Sequence, residues 1–175
     1  VGRAGAAGVC IDDNTVPKRC SLEPGGPREL VSIDEMCVKL RAARKAADSF
    51  GMVLIGRVES LIADLGIEDA VERASAYAEA GVDLVLIHSK KFQPLKEIMA
   101  TGRLTKPMIV VPTLFGGTTF EEMESCGIYG AIYANQMLRV MVRTCQPLAS
   151  QLLEACSLTE FDVQLAKVRD IGKFV

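Results

Sequence analysis

Apolar runs of four to six residues alternate with stretches of helical periodicity along this chain. The runs fall at residues 8–11, 52–55, 82–87, 108–111 and 131–134, and each reads as a strand. Between the first two, Met36, Leu40, Ala43 and Ala47 draw an apolar stripe at helical spacing, behind a capping box made by Ser32 and Glu35. A second helix is predicted over 66–80, with acids in its first turn and Gly81 just past its end. A third covers 93–100, with Gly102 after it. A fourth opens with a second capping box, Thr119 to Glu122, and ends near Gly127. Residues 137–156 read as a long helix containing Pro147, and 159–175 carry a weaker helical pattern. Residues 14–30 break the rhythm, because Pro17, Pro24, Gly25, Gly26 and Pro27 exclude a helix or a central strand. A loop this long inside a compact domain is a functional lid or disordered, and an active-site lid over 13–31 is the expectation.

Continuous apolar strands alternating with helices imply an α/β fold with a parallel sheet covered on both faces. Two architectures satisfy that pattern: part of a TIM-type (β/α)8 barrel, or an open doubly wound sheet. Neither a G-x-G-x-x-G sequence nor a P-loop follows any strand, which lowers the nucleotide-binding option. A barrel needs eight strands and typically ~250 residues. The five strands here would then be its C-terminal part, with about three expected on the N-terminal side. The chain opens on Val1 rather than Met, so its natural start is expected upstream. Residues 1–175 are read as one partial barrel domain, with 137–175 as a C-terminal helical segment.

Charge and composition narrow the function classes. A net charge of −2 gives no electrostatic case for nucleic acid or an anionic membrane surface. No apolar run reaches the ~18 residues of a membrane span, and no signal peptide is visible. Six cysteines without a C-x-x-C pair, beside the single histidine His88, argue against zinc. Reduced thiols in the cytoplasm fit better than a disulfide framework.

The polar residues fall where the strands end: Asp12 and Asp13, then Arg57 and Glu59, then His88 and Lys90, then Thr113, then Asn135. In a parallel sheet these project to one end, the end where barrels build their sites. Carboxylates on the first strand suit a hard cation such as Mg2+. Arg57 suits a bidentate carboxylate or phosphoryl group. Together the set fits an anionic substrate with charge developing on an enolate oxygen. Each residue has a plainer reading too. His88 can be a packed core histidine, Arg57 a structural ion-pair partner of Glu59 or Asp12, and Asp12 and Asp13 the start of a turn. Glu59 reads as a supporting partner of the site. Lys90 can form a Schiff base or simply face solvent. Lys18 and Arg19, mid-loop, can reach an anionic substrate from a closing lid.

Four segments resemble one family. They are Val53-Leu-Ile-Gly-Arg-Val-Glu-Ser-Leu-Ile-Ala63, Ala76-Tyr-Ala-Glu-Ala-Gly-Val-Asp-Leu-Val-Leu-Ile-His-Ser-Lys90, Val110-Val-Pro-Thr113 and Ile132-Tyr-Ala-Asn135. In this order they resemble the phosphoenolpyruvate mutase branch of the isocitrate lyase superfamily, over residues 4–145. The resemblance implies a TIM-type barrel of which this chain holds strands 4 to 8, and Mg2+ as cofactor. It also implies a small 2-oxo or enol acid as substrate, C–P or C–C bond chemistry, and a homotetramer that exchanges C-terminal helices. The family's catalytic aspartate and its most direct Mg2+ ligands lie on the first three strands and are outside this sequence. By the same resemblance Arg57 holds the substrate's phosphoryl or carboxylate group and His88 contacts the substrate. Asp12 stands where a glutamate reaches Mg2+ through water, and Lys18 is the lysine of the closing loop.

The loop departs from the mutase pattern. Mutases carry Glu-Asp-Lys, five residues, then Asn-Ser, whereas this chain has Asp12-Asp13-Asn14, five residues, then Cys20-Ser21. Cys20 replaces the asparagine expected on the transferring phosphoryl group, and Ser21 keeps the substrate-binding serine. The superfamily's C–C lyases use Lys-Arg-Cys-Gly-His with a cysteine acid/base. Lys18-Arg19-Cys20 matches its first three residues, and Ser21-Leu22 does not match the rest. The expected activity is a phosphoenolpyruvate/phosphonopyruvate mutase. The alternatives are a phosphonopyruvate hydrolase, a C–C lyase of a 2-oxo or 2-hydroxy diacid using Cys20, and a non-catalytic barrel fragment.

Overall fold

The computed structural model describes residues 1–18, 28–155 and 165–173. Two compact units form, Val1–Ala134 and Asn135–Val175, where the sequence reading has one domain with a helical segment from residue 137. Cys20 and Ser21 lie outside the described residues, as do Arg19 and Cys156.

In the first unit, strands β1 (Gly8–Asp12), β2 (Val53–Val58), β3 (Leu84–Ile87), β4 (Met108–Val110) and β5 (Gly130–Ala131) form one sheet. Helices α1 (Ile33–Asp48), α2 (Gly66–Glu79), α3 (Gln93–Ala100) and α4 (Phe120–Ser125) make the crossovers. Every strand pair is parallel, and the spatial order β1-β2-β3-β4-β5 is the sequence order. A doubly wound sheet reverses its order at a switch point, whereas a barrel does not. The in-order sheet therefore decides between the two architectures: the unit is an arc of a TIM-type barrel. Among the described residues, its end strands β1 and β5 each pair on one side only.

Local chemistry sets the helix starts. Ser32 Oγ accepts the Glu35 N–H at 3.1 Å and Thr119 Oγ1 accepts that of Glu122 at 3.1 Å, so both capping residues do what their spacing predicts. Met36 and Leu40 of α1 and Val71, Ala74 and Tyr77 of α2 bury against Leu54, Val58, Val85 and Ile87. Alternate strand positions, Leu86, Ile109 and Val111 with Ile55 and Leu84, form a smaller cluster on the other face. Burial on both faces explains why the strands read as unbroken apolar runs.

Gly56 marks a close approach of β2 to its covering helix. A Cβ there would stand 3.0 Å from Val82 Cγ1 and 3.4 Å from Tyr77 Cβ. Gly56→Val is expected to cost about 1–3 kcal/mol through overpacking. The loss should appear as a lower urea midpoint at unchanged m value.

Two boundaries differ from the sequence reading. β2 runs on to Val58, so Arg57 sits within the ladder, paired in register with Asp12. β5 is only two residues long, although Tyr129 and Ile132 flank it with N–H bonds of 2.8 Å to the carbonyls of Met108 and Val110. The ends of the 14–30 loop are drawn together. Asn14 bridges Leu30, the Val31 N–H donates to the Asp13 carbonyl at 2.9 Å, and Thr15 Oγ1 donates to the Glu29 carbonyl at 3.1 Å.

The second unit contains α5 (Gln136–Ala155), with Pro147 inside it, and the short α6 (Val168–Ile171). Met137, Leu138, Val140, Met141 and Val142 of α5 are exposed. The described cysteines are all free thiols. Cys37 is buried as a small core hydrophobe, while Cys10 and Cys145 are exposed.

Candidate active site

Register brings the predicted residues to one place. Asp12 pairs with Arg57 across β1 and β2, and Arg57 pairs with Leu86 across β2 and β3. His88 lies two residues beyond Leu86 and so returns to the same face; its N–H donates to the Val58 carbonyl at 3.0 Å. Asp12, Arg57 and His88 thus share the face turned from the helices, at the C-terminal end of the sheet. That is the end where TIM-type barrels hold their chemistry.

Glu59 joins them in a tight cluster. Arg57 Nε donates to Glu59 Oε1, and Arg57 Nη2 lies 2.7 Å from His88 Nδ1. His88 Nδ1 is also 3.1 and 3.0 Å from the two Glu59 carboxylate oxygens. One ring nitrogen cannot serve both neighbours at once. Carrying a proton, Nδ1 donates to Glu59; without it, Nδ1 accepts from Arg57. The cluster therefore couples the position of Arg57 to the proton on His88. Glu59 is buried, with 1% of its side chain accessible, while Arg57 keeps 22%. An arginine in this setting has its guanidinium anchored at one edge and open at the other, as bidentate capture of an anion requires.

Burial would raise the Glu59 pKa, but hydrogen bonds and charge from His88 and Arg57 outweigh it and hold the carboxyl below the ordinary glutamate value. A folded-state pKa below the unfolded one means stability present at higher pH and lost as pH falls through the folded value. The stability gap between the parent and Glu59→Gln should thus be widest above about pH 4.3 and close as the pH drops below it. Denaturant midpoints across pH 3 to 7 test this, and a gap that widens on acidification contradicts it.

The two aspartates at the end of β1 part company. Asp12 is half-buried on the site face and accepts from Lys18 Nζ, so the predicted lid lysine and metal carboxylate are paired with each other. Asp13 alternates to the helix side and is fully buried. It accepts from Tyr77 Oη at 2.7 Å, from the Glu59 N–H at 3.0 Å and from Arg73 Nη1 at 3.4 Å. Burial pushes the Asp13 pKa up against those donors. The metal-linked role considered for both aspartates does not extend to Asp13, whose oxygens are taken by the Glu59 N–H and by Tyr77 and Arg73 of α2.

Arg73 also reaches the Val31 carbonyl at 2.8 Å and Asp69 Oδ1 at 2.9 Å, and Ser60 Oγ donates to the same Asp69 oxygen at 2.6 Å. Sequence reading missed this network. Its signal was present: Asp69, Arg73 and Tyr77 recur every four residues on the buried stripe of α2 with Ala70 and Ala74, and an arginine on an apolar stripe needs a partner.

Among the described residues, no three His, Cys, Asp or Glu side chains come together as a metal cluster. Asp12 is a single hard-oxygen donor. That suits one position around a Mg2+ ion that keeps several waters, and falls short of a complete protein cage. Lys90 is exposed and lacks the desolvation that activates a Schiff-base lysine. Thr113 is half-buried just past β4, and Asn135 belongs to the second unit.

Comparison with known proteins agrees with the geometry. The family model described as phosphoenolpyruvate phosphomutase matches residues 1–153. Phosphoenolpyruvate phosphomutase of Tetrahymena pyriformis is 34% identical over 167 residues, covering 94% of this chain and 56% of that protein. Phosphonopyruvate hydrolase of Variovorax sp. (strain Pal2) is 36% identical over 174 residues, covering 96% of this chain and 59% of that protein. Among solved structures, a phosphonopyruvate hydrolase complexed with oxalate and Mg2+ superposes with a TM-score of 0.85 at 32% identity, covering 97% of this chain and 58% of that one. This chain thus spans little more than half the length of these relatives. With its arc of parallel strands and a family model matching from Val1 onward, the chain belongs to the phosphoenolpyruvate phosphomutase family.

Proposed function

We propose that the full enzyme carrying this chain is a Mg2+-dependent phosphoenolpyruvate/phosphonopyruvate mutase acting on the C–P bond through an enolate. The observation that carries the reading is the Arg57–Glu59–His88 cluster, set beside Asp12 at the C-terminal end of the sheet. Arg57, anchored by Glu59, binds the substrate's carboxylate or phosphoryl oxygens with its remaining N–H donors. His88, fixed by its main-chain bond to Val58, orients a substrate oxygen and holds or releases a proton at its ring. Asp12 is the described residue that would help hold Mg2+, with a carboxylate oxygen. The ion when bound supplies Lewis-acid stabilisation of an enolate oxygen. Lys18 leaves Asp12 and turns to the anionic substrate, and Ser21 is a further substrate-binding residue. A homotetramer built on the exposed apolar positions of α5 completes the reading, and light scattering of the purified enzyme tests it.

Phosphorus NMR of the full-length enzyme incubated with phosphonopyruvate and Mg2+ tests the reaction. Conversion to phosphoenolpyruvate supports the mutase, and inorganic phosphate with pyruvate gives the hydrolase instead. No turnover of phosphonopyruvate, with cleavage of a 2-hydroxy diacid, overturns C–P chemistry. The second reading, a C–C lyase, is favoured by the Lys18-Arg19-Cys20 run. It requires Cys20→Ala to abolish turnover, whereas a mutase keeps most of its rate after that change.

A further inference from the structure

We propose that Asp13 is a positioning residue for the site: it fixes the backbone at Glu59 and thereby holds Arg57 and His88 in their working arrangement. The proposal rests on the reading of Arg57 and His88 as substrate contacts. Asp13 Oδ1 accepts the Glu59 N–H at 3.0 Å, at the residue where β2 gives way to its turn. The other oxygen, Oδ2, takes Tyr77 Oη at 2.7 Å and Arg73 Nη1 at 3.4 Å, both from α2. With no accessible surface, Asp13 has little freedom to choose another partner. Ser60, the next residue, is held through its side-chain hydroxyl, which donates to Asp69 at 2.6 Å, and Arg73 also holds that carboxylate. Two consecutive residues past β2 are thus pinned by carboxylates that share one arginine. Of these, Glu59 carries the carboxylate gripping Arg57 and His88. The end of β1 therefore serves the site twice: Asp12 faces the substrate side, and Asp13, the next residue, works from behind the sheet.

A carboxylate that only filled and stabilised the core would affect melting temperature alone. A positioning role also moves kcat and the exposure of the segment it holds. The test uses the full-length enzyme with Asp13→Ala and Asp13→Asn, measuring kcat and KM, melting temperature, and hydrogen exchange of the peptide covering residues 57–61. Asp13→Ala should lower kcat by about 100-fold, the scale of a misplacement near 1 Å. It should speed exchange of that peptide roughly ten-fold, as expected for loss of one charge-assisted bond. Asp13→Asn keeps an acceptor for the Glu59 N–H, so it should recover at least about ten-fold of the kcat loss although the ion pair with Arg73 is gone. A kcat within about two-fold of the parent for Asp13→Ala, with only melting temperature reduced, overturns the proposal. Equal kcat losses for the Ala and Asn variants also overturn it. Where Asp13→Ala does not fold, Tyr77→Phe replaces it. That variant removes one donor to Oδ2 and should raise exchange at 57–61 and lower kcat several-fold; unchanged exchange and kcat overturn the proposal. The exchange readout does not depend on which reaction is catalysed. A parent enzyme inactive on C–P substrates thus rejects the functional reading, while a ten-fold rise in exchange still supports the clamp.

Discussion

Replacing Arg57 with Ala in the full-length enzyme is expected to lower kcat/KM by about 10²–10³-fold, the usual effect of losing a donor aimed at developing negative charge. The folding cost should be modest by comparison. Arg57 lies on the site face rather than in the helix-side core, and Glu59 retains His88 as a partner after the change. Arg57→Lys should recover little. The observed arginine uses Nε on Glu59 and Nη2 at His88 simultaneously, and a lysine presents one ammonium that cannot span both while also meeting an anion. Steady-state kinetics at saturating Mg2+, with melting curves alongside, separate these effects. If both variants lose less than about ten-fold in kcat/KM while melting temperature falls, Arg57 is a structural ion-pair partner and its assignment to the substrate fails.

The strand-tip residues were readable in the sequence because period and direction suffice to place them. Once the apolar runs are parallel strands, Arg57 and His88 must emerge at one end, together with the aspartates that end the first run. What could not be read was the division of labour between Asp12 and Asp13. Adjacent residues on a strand face opposite ways, but which way depends on a register with β2 that lies some 45 residues further along the chain. The Asp13 contacts with Tyr77 and Arg73 join residues 64 and 60 positions apart, and only the packing of α2 creates them. Glu59 was read as a supporting partner of the strand-tip residues, and its carboxylate is buried between Arg57 and His88. The helical segment from residue 137 was set apart in the sequence, but that residues from Asn135 onward form a second compact unit was not legible, for a different reason. The helical periodicity of α5 is as regular as that of α1, and periodicity does not say what a helix packs against.

The network behind the sheet predicts the largest change in stability. Arg73→Leu should destabilise the fold by about 3–5 kcal/mol, because it strands partners that burial has already removed from water. Asp13 loses a cation, Asp69 keeps only Ser60 within this network, and the Val31 carbonyl loses its 2.8 Å donor. Replacement by leucine keeps an apolar stem on the stripe, so the loss reports chiefly on charge and hydrogen bonding, with a smaller contribution from the space the guanidinium leaves. Arg103→Ala provides the contrast. Arg103 also pairs with a carboxylate, Glu68 at 2.6 Å, but the two side chains are 48% and 76% exposed. Solvent screens that pair, and its removal should cost less than about 1 kcal/mol. Two pairs of the same chemistry should then differ several-fold in urea unfolding, purely because one sits under α2 and the other in water. Equal costs for the two variants would mean that the Arg73 network is already satisfied without its arginine. A double-mutant cycle of Arg73→Leu with Asp13→Asn should show coupling of about 0.5–3 kcal/mol, since each change removes part of what the other depends on. Strict additivity in that cycle would show that Asp13 is held by Tyr77 and the Glu59 N–H alone, leaving Arg73 to serve Asp69 and Val31.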